Sequence, residues 1–322
     1  MKNILEFKEI IEQELKEIEI PNRPENLYQP INYILSLDAK RIRAIALLMA
    51  HQLYNDDYKN ALSAALAIEM FHNFTLIHDD IMDNATLRRG VKTVHEKWSN
   101  NIAILSGDVL LVKSYQKLFS LASKIRQLAI EKFSNAAIIV CEGQQMDMDF
   151  ETDNNISIED YLIMIEKKTS ALFASSFEIG ALVGGASLYD QQQLYKFGIN
   201  LGIAFQLQDD LLDLYGDSKK FGKKVGGDIV ANKKTYLYLK SLELANKDQK
   251  NKLLELYSNS NIDEKLKIEQ VKSIFNDLNI YSISIDKINS FHKAALKCLN
   301  MISSDNKRSL NYFVDLLIKR EV

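Results

Sequence analysis

Two short acidic segments share the pattern Asp-Asp-x-x-Asp. They occupy residues 79–83 and 209–213. On a helix, residues three and four positions apart lie on one side, so each segment can direct several carboxylate oxygens toward one point. Because like charges repel one another and are costly to desolvate, a cation is expected among them. Mg²⁺ is the natural candidate, since it typically binds one or two carboxylates together with substrate phosphates.

Both acidic motifs follow mostly apolar segments. Residues 68–77 precede the first motif, and residues 202–208 precede the second. A single motif of this kind could be a solvated surface. Two motifs that follow apolar helical segments predict carboxylates that face an interior or a cleft, and they favour a shared metal site.

Basic residues lie where phosphate groups could bind. The segment Lys40-Arg41-Ile42-Arg43 begins an apolar helix, where cations oppose the helix dipole unless an anion is bound. Arg88 and Arg89 follow the first acidic motif, and guanidinium groups match phosphate oxygens bidentately. The alternatives are a solvated helix start for the first segment and simple neutralisation of the aspartates by the arginines.

Two further segments combine lysine with threonine or glycine. Lys168-Thr169 lies midway along a predicted helix, where it could line a cavity or, equally, the surface. Residues 222–228 and 233–235 mix glycine with lysine, and such loops can close over phosphates.

Long helices are predicted to position these groups. All three prolines lie within the first thirty residues, and an all-α fold best tolerates their absence from the rest of the 322-residue chain. No segment after residue 30 is typical of a linker, so we expect one domain over residues 1–322. An N-terminal helix should end at the turn around residues 21–24. Further helices are predicted over 28–37, 58–84, 101–121, 125–149, 157–184 and 190–215, with amphipathic helices beyond 236.

Composition excludes several classes of protein. A net charge of −3 argues against a general nucleic-acid binder. Cys141 and Cys298 are far apart in helical patterns, which indicates a reduced, cytoplasmic protein. The acid-rich amphipathic N-terminus is not typical of a signal peptide, and no apolar segment approaches the length of a membrane span.

Together these motifs resemble those of the trans-isoprenyl diphosphate synthases. The resemblance runs from about residue 38 to 235 and includes both acidic motifs, Arg88-Arg89-Gly90, Gly143-Gln144-x-x-Asp147, Lys168-Thr169, Phe205-Gln206 and Gly222-Lys223. It implies an all-α bundle of long, mostly antiparallel helices around a central cavity, and a homodimer. One departure is that residues 38–44 read Asp-Ala-Lys-Arg-Ile-Arg-Ala where the family usually reads Gly-Gly-Lys-Arg-x-Arg-Pro.

The resemblance also implies roles for individual residues. It implies three Mg²⁺ ions per active site, bound by Asp79, Asp83 and Asp209, with Asp80, Asp210 and Asp213 in support. It implies contacts to an allylic diphosphate from Arg88, Lys168, Thr169, Gln206, Lys223 and Lys233. It implies binding of isopentenyl diphosphate by Lys40, Arg43, His72 and Arg89. The set implied to be catalytic comprises Asp79, Asp80, Asp83, Arg88, Lys168, Asp209, Asp210 and Lys223.

Product length is predicted to depend on the helix before the first motif. Phe74 and Phe71 lie five and eight residues before Asp79, so both can face the cavity, whereas position 75 is a threonine. The resemblance associates such bulky residues with short products, here fifteen to twenty carbons.

Several alternatives remain open at this point. The chain could be a longer-chain polyprenyl diphosphate synthase or a class I terpene cyclase, although a second Asp-Asp-x-x-Asp favours chain elongation. It could be a silent partner subunit of another synthase. A di-iron bundle is suggested by Glu69-x-x-His72, but that class needs a second such motif, and the sequence contains none.

Overall fold

Helices occupy most of the chain, as the scarcity of proline predicts. The computed structural model describes residues 2–153, 155–216, 225–259 and 262–318. Within this part of the chain the strands form one short hairpin, so the prediction of an all-α fold is confirmed. No helix among the described residues combines the length and apolarity needed to cross a bilayer.

The helices in the first half of the chain are α1 (Ile4–Glu17), α2 (Glu25–Ser36), α3 (Ile42–Gln52), α4 (Lys59–Met82), α5 (Val94–Lys97), α6 (Asn100–Leu118) and α7 (Ser123–Thr152). They continue with α8 (Ile158–Ile165), α9 (Ala171–Gly184), α10 (Leu188–Tyr215), α11 (Gly227–Val230), α12 (Tyr236–Leu244), α13 (Lys247–Ser258), α14 (Glu264–Asp277), α15 (Ile280–Met301) and α16 (Arg308–Ile318). Strands β1 (Leu87–Arg88) and β2 (Val91–Lys92) pair antiparallel.

Most predicted helices agree with the observed ones to within a few residues. The helix predicted over 58–84 is α4, and the helix predicted over 190–215 is α10. The helix predicted over 157–184 differs, because a π-helical turn at Glu166–Ser170 separates α8 from α9. The five residues of the turn are all polar, but apolar residues lie on both sides of it at helical spacing, so periodicity alone could not reveal the change in hydrogen bonding.

The chain divides into two compact units, and the prediction of a single domain stays a prediction. The first unit comprises Met1–Ala137, Leu172–Lys196 and Met301–Phe313. In it α4 packs against α3 and α6, and its many alanines are buried around most of the helix circumference. Gly180 allows α9 to approach α3, since a Cβ atom there would lie 2.1 Å from the carbonyl oxygen of Leu47.

The second unit comprises Ile138–Ala171, Phe197–Asn300 and Val314–Val322. Its core contains one face of α10, including Ile203, Leu207 and Leu211, together with Leu237 of α12 and Phe275 of α14. This apolar face fixes the orientation of α10, and so determines which of its polar side chains are buried.

Candidate active site

The first acidic motif ends α4. Asn84 adopts a left-handed conformation with φ of 50°, the Ala85 N–H donates to the carbonyl oxygen of Asp80 at 2.9 Å, and the Asn84 N–H donates to that of Ile81 at 3.3 Å. This pair of bonds is a Schellman motif, which satisfies the last carbonyls of a helix and reverses the chain. The chain therefore turns back directly after the motif.

The hairpin that follows returns Arg88 to the motif. Arg89 and Gly90 form its two-residue turn with φ values of 54° and 77°, as a type I′ turn requires. Arg88 donates to Oδ1 of Asp80 from Nε at 2.9 Å and from Nη2 at 2.5 Å, and Nη2 lies 3.7 Å from Oδ2 of Asp79. Arg88 thus neutralises the first motif in this structure, which was one of the two interpretations of the arginine pair.

The three aspartates of the first motif differ in burial. Asp80 is only 1% exposed, Asp79 is half-buried and Asp83 is exposed. Burial raises the pKa of Asp80, and the hydrogen bonds and charge of Arg88 oppose that rise. Among the described residues, Oδ2 of Asp80 is buried without a hydrogen-bond partner. A carboxylate oxygen in this condition suits a hard cation such as Mg²⁺.

Several arginines surround His72 of α4. Nη1 of Arg43 lies 3.2 Å from Nε2 of His72. Burial lowers the pKa of His72 well below its usual range, and the charges of Arg43, Arg89, Arg88 and Arg41 lower it further. His72 is therefore neutral, and the surrounding positive charge favours binding of an anion.

The remaining residues predicted to bind isopentenyl diphosphate are more accessible. Lys40 is exposed just before α3, and Arg89 is exposed in the hairpin turn. Arg41, between Lys40 and Arg43, was not predicted as a site residue, and its side chain is completely buried. Glu69, the acidic residue of the di-iron alternative, accepts a hydrogen bond from Nη1 of Arg41 at 2.9 Å.

Aromatic rings line α4 below the first motif. Phe71 is 1% exposed and its ring centroid lies 5.5 Å from that of Phe74, which is 8% exposed. Phe133 of α7 lies 5.3 Å from Phe71, and His78 lies 4.7 Å from Phe74. The Thr75 hydroxyl donates to a backbone carbonyl in the preceding turn at 2.8 Å. Sequence reasoning found Phe71 and Phe74 but missed Phe133 and His78, because neither belongs to a recognisable motif.

The second acidic motif lies inside α10, where Asp210 is fixed by uncharged groups. Oδ2 of Asp210 accepts a hydrogen bond from the Tyr161 hydroxyl, and Oδ1 accepts one from Nε2 of Gln206 at 3.0 Å. The Thr169 hydroxyl in turn donates to Oε1 of Gln206 at 3.1 Å. The predicted residues Thr169, Gln206 and Asp210 therefore form one hydrogen-bonded chain that ends at Tyr161, which sequence reasoning missed.

The electrostatics of Asp210 follow from this environment. Burial, followed by the charge of Asp228, raises the pKa of Asp210 to about 8 against the hydrogen bonds of Tyr161 and Gln206. Asp209 and Asp213 are half-buried, and Oδ2 of Asp213 accepts a hydrogen bond from the Asp228 N–H at 3.0 Å. Sequence reasoning did not predict that Asp228 would lie close to the second motif. Asp228 follows the glycine pair at residues 226 and 227, which was the available signal.

The π-helical turn places Lys168 and Thr169 between two glycines. A Cβ atom on Gly143 would lie 2.2 Å from the Lys168 nitrogen, and one on Gly202 would lie 2.7 Å from the Ser170 side chain. The turn is therefore packed closely against α7 and α10. Lys168 donates to Oδ2 of Asp147 at 2.5 Å. In the Gly143-x-x-x-Asp147 spacing, Gly143 therefore allows the turn to pack closely, and Asp147 binds its lysine.

Lys233, one of the last two predicted lysines, lies near α11. Lys233 is exposed three residues after the end of this helix. The residue before Lys233, Asn232, adopts a left-handed conformation with φ of 57°. The residue after Lys233, Lys234, donates to carbonyl oxygens at the end of α7, including that of Phe150 at 2.8 Å. Lys223, with Gly222, lies outside the residues that the structure describes.

No three His, Cys, Asp or Glu side chains in the described part of the chain stand together so as to hold a metal ion on their own. Mg²⁺ in proteins typically keeps several waters and is completed by substrate phosphates rather than by a full protein cage. The carboxylate donors of the two motifs fit such an ion.

An all-α fold with two aspartate motifs, each accompanied by phosphate-binding residue types, is that of an isoprenoid synthase. A sequence model of the family described as "Polyprenyl synthetase" matches residues 24–277. The chain is 38% identical over 303 residues to a geranylgeranyl diphosphate synthase of Sulfolobus acidocaldarius, and the match covers 91% of each of the two chains. It is 41% identical over 268 residues to a short chain isoprenyl diphosphate synthase of Methanocaldococcus jannaschii, covering 83% of this chain and 80% of the relative.

A crystal structure of a geranylgeranyl pyrophosphate synthase, 41% identical, matches the fold with a TM-score of 0.95 over 100% of both chains. The chain therefore belongs to the polyprenyl synthetase family. It is a short-chain trans-prenyltransferase of isoprenoid biosynthesis. Prenyl diphosphate synthases generally use Mg²⁺.

Proposed function

We propose that the protein condenses isopentenyl diphosphate head-to-tail with an allylic diphosphate. The allylic substrate is dimethylallyl, geranyl or farnesyl diphosphate, and the product is an all-trans prenyl diphosphate of fifteen to twenty carbons. The similarity to a geranylgeranyl diphosphate synthase and to a short chain isoprenyl diphosphate synthase supports a short product. The observation that carries the proposal is that each acidic motif combines one buried carboxylate, held by protein donors, with more accessible carboxylates on either side.

The accessible carboxylates are the proposed metal ligands. Asp79, Asp83 and Asp209 would bind Mg²⁺, with three ions at the full site, and Asp80, Asp210 and Asp213 would support them. When bound, Mg²⁺ supplies positive charge that stabilises the departing diphosphate.

The proposed allylic diphosphate site uses cations and amide or hydroxyl donors. Its members are Arg88, Lys168, Thr169, Gln206, Lys223 and Lys233. Donors directed at the diphosphate oxygens stabilise the negative charge that develops as the allylic C–O bond breaks. Apolar and aromatic groups keep water away from the resulting allylic cation, which water would otherwise trap.

The second substrate completes the reaction. Lys40, Arg43, His72 and Arg89 are proposed to hold isopentenyl diphosphate so that its double bond lies close to the allylic cation. A carbon–carbon bond forms, a proton leaves to the released diphosphate, and the chain is five carbons longer. The neutral state of His72 suits a hydrogen-bonding rather than a charge-neutralising role.

Product length is proposed to depend on Phe71 and Phe74, with the small Thr75 beside them. Phe74→Ala removes a ring from the aromatic wall below the motif, so products should lengthen by one or more five-carbon units. Tyr189→Ala is the matched control, because the Tyr189 ring is exposed at the start of α10, away from the first motif in the sequence. Chromatographic sizing of products checks this, and an unchanged profile in Phe74→Ala would remove Phe74 from the role.

One experiment tests the function as a whole. Purified protein is incubated with Mg²⁺, isopentenyl diphosphate and allylic primers of increasing length, and the products are sized by chromatography. Incorporation of isopentenyl diphosphate into products of fifteen to twenty carbons is expected. A terpene cyclase would leave isopentenyl diphosphate unused, a silent subunit would turn over nothing alone, and a longer-chain synthase would continue past twenty carbons.

A homodimer in the cytoplasm is proposed as the working form. Exposed apolar residues follow one stripe of α6 and its C-cap, namely Ile104, Leu105, Val112 and Phe119, and Cys141 is an exposed free thiol. Light scattering should give twice the chain mass for the wild type and a smaller species for Val112→Asp. Fractionation of cells should recover the protein with the cytoplasm, and recovery elsewhere would refute that location.

A further inference from the structure

Arg41 is the buried member of the basic segment before α3. Its side chain is 0% exposed, whereas Lys40 is exposed and Arg43 is half-buried. Nε of Arg41 donates to Oε1 of Glu12 on α1 at 2.8 Å, and Nη1 donates to Oε1 of Glu69 on α4 at 2.9 Å. A buried guanidinium with two carboxylate partners is strongly fixed, because losing either partner leaves buried charge poorly compensated.

The same side chain also caps α2. Nη2 of Arg41 donates to the carbonyl oxygens of Leu35 and Leu37 at 2.8 and 2.9 Å. Carbonyl groups at a helix C-terminus lack helical partners and favour a nearby cation. Arg41 therefore uses four of its five guanidinium N–H groups on protein atoms, in α1, α4 and the end of α2.

The backbone of Arg41 is as constrained as its side chain. It adopts a left-handed conformation, with φ of 50° and ψ of 30°, directly before the first residue of α3. For a residue with a Cβ atom this conformation is strained, and it persists only where surrounding contacts over-determine it. The four side-chain bonds are such contacts, and the carbonyl oxygen of Arg41 accepts the first bond of α3, from Ile45, at 3.0 Å.

The contacts of Arg41 lie close to residues that are proposed to bind isopentenyl diphosphate. Glu69 and His72 are three residues apart on α4 and so lie on one side of it. Arg41 contacts the first of them and Arg43 contacts the second, at 3.2 Å. The Asn73 amide fixes the Glu69 carboxylate further, donating to its Oε1 at 3.2 Å. The start of α3 is thus joined to α4 at two points.

We propose that Arg41 is the positioning residue of the isopentenyl diphosphate site, acting through the direction it gives to Lys40 and Arg43 rather than by touching the diphosphate. This inference rests on the proposed function. Arg41 coincides with the first arginine of the family pattern, so the departures at residues 38, 39 and 44 leave this anchor in place.

The test compares two connections from α1 to the same loop. Glu12→Gln weakens the buried connection to Arg41, and Arg41→Lys replaces the planar guanidinium by a single ammonium group. Lys8→Gln is the matched control, because Lys8 contacts the exposed Asp38 at 3.1 Å. We expect Glu12→Gln and Arg41→Lys to raise KM for isopentenyl diphosphate by about fivefold or more. Their kcat and their KM for the allylic substrate should stay within about twofold, and Lys8→Gln should match the wild type in all three.

The outcomes separate positioning from a merely structural role. If KM rises equally for both substrates, or only kcat falls, the inference is overturned. If Arg41→Lys does not fold, Glu12→Gln decides alone, and an unchanged KM for isopentenyl diphosphate in that variant also overturns it. Calorimetric titration with isopentenyl diphosphate gives the same comparison as a Kd without turnover. A wild type that binds this ligand but makes no product would refute the proposed function and leave the positioning role measurable.

Discussion

The two acidic motifs have the same sequence pattern but opposite means of supporting their buried carboxylate. In the first motif, Asp80 is held by the permanent cation Arg88. In the second, Asp210 is held by the neutral groups Tyr161 and Gln206, and the charge of Asp228 acts against its ionisation. The first motif therefore contains part of its own neutralisation. The second holds its buried carboxyl by neutral donors, and burial together with the charge of Asp228 disfavours the ionised form of Asp210.

The difference shows that an Asp-Asp-x-x-Asp pattern specifies where carboxylates lie, but not how they are charged. The first motif ends a helix and is followed by a tight hairpin, which returns a side chain to it. The second lies within a helix, so its donors come from the preceding turn of the same helix and from α8. Three predictions test this contrast, from the largest expected effect to the smallest.

The largest effect is expected where the two motifs are alike. Asp79→Asn and Asp209→Asn each remove one accessible carboxylate charge, and each should lower kcat by roughly 10²–10³-fold or more, as loss of a group that stabilises developing charge does. Circular dichroism should show unchanged helical content. A loss confined to one of the two variants would mean that a single motif is sufficient, and the proposed metal site would then be wrong.

An intermediate effect on kcat should distinguish the charged support of Asp80 from the neutral support of Asp210. Arg88→Met removes a charge that contacts the first motif, so kcat should fall by roughly 10–100-fold. Tyr161→Phe removes one neutral donor from Asp210, and kcat should fall by only a few-fold. Steady-state kinetics at saturating Mg²⁺ measures both. Equal losses in the two variants would contradict the assignment of charged support to one motif and neutral support to the other.

The smallest effect concerns stability without divalent cations. Asp80→Asn deprives Arg88 of its charged partner and should lower the free energy of unfolding by roughly 1–3 kcal/mol. Asp210→Asn should stabilise the protein instead. The Asp210 carboxyl keeps its proton up to a pKa of about 8 when folded but ionises near 3.8 when unfolded. Wild-type stability therefore falls as pH rises through that window.

The stabilisation by Asp210→Asn should accordingly grow between about pH 4 and 8 and level off above that range. Urea titrations in EDTA at several pH values measure it, with Asp80→Asn as the opposite-signed comparison. An advantage of Asp210→Asn that does not change with pH would show that the carboxyl is ionised throughout.

Much of the fold could be predicted from the sequence, because it depends on local patterns. The absence of proline after residue 30 and the apolar periodicity predict α4 and α10 nearly to the residue, and the fold class and enzyme class are confirmed. The individual roles of the site residues stay predictions. Contacts between residues that are distant in the sequence were not predictable. Neither Tyr161, which contacts Asp210, nor Phe133, which contacts Phe71, belongs to a sequence motif.

The direction in which a side chain points was the other property that could not be predicted from the sequence. Lys40, Arg41 and Arg43 read as one basic cluster, yet the structure buries the middle residue between two glutamates. That outcome depends on a left-handed backbone at Arg41, which a sequence without glycine at this point does not suggest. Arg88 is similar, because its contact with Asp80 requires the geometry of the Arg89-Gly90 turn.

The π-helical turn at Glu166–Ser170 makes the register of this segment unusually sensitive to length. Each residue of an α-helix advances the chain by about 100° around the axis, so removing one residue here would restore regular α-helical bonding and rotate Lys168 away from Asp147. Shortening the chain by one residue at this turn would therefore separate Lys168 from Asp147 without removing either side chain.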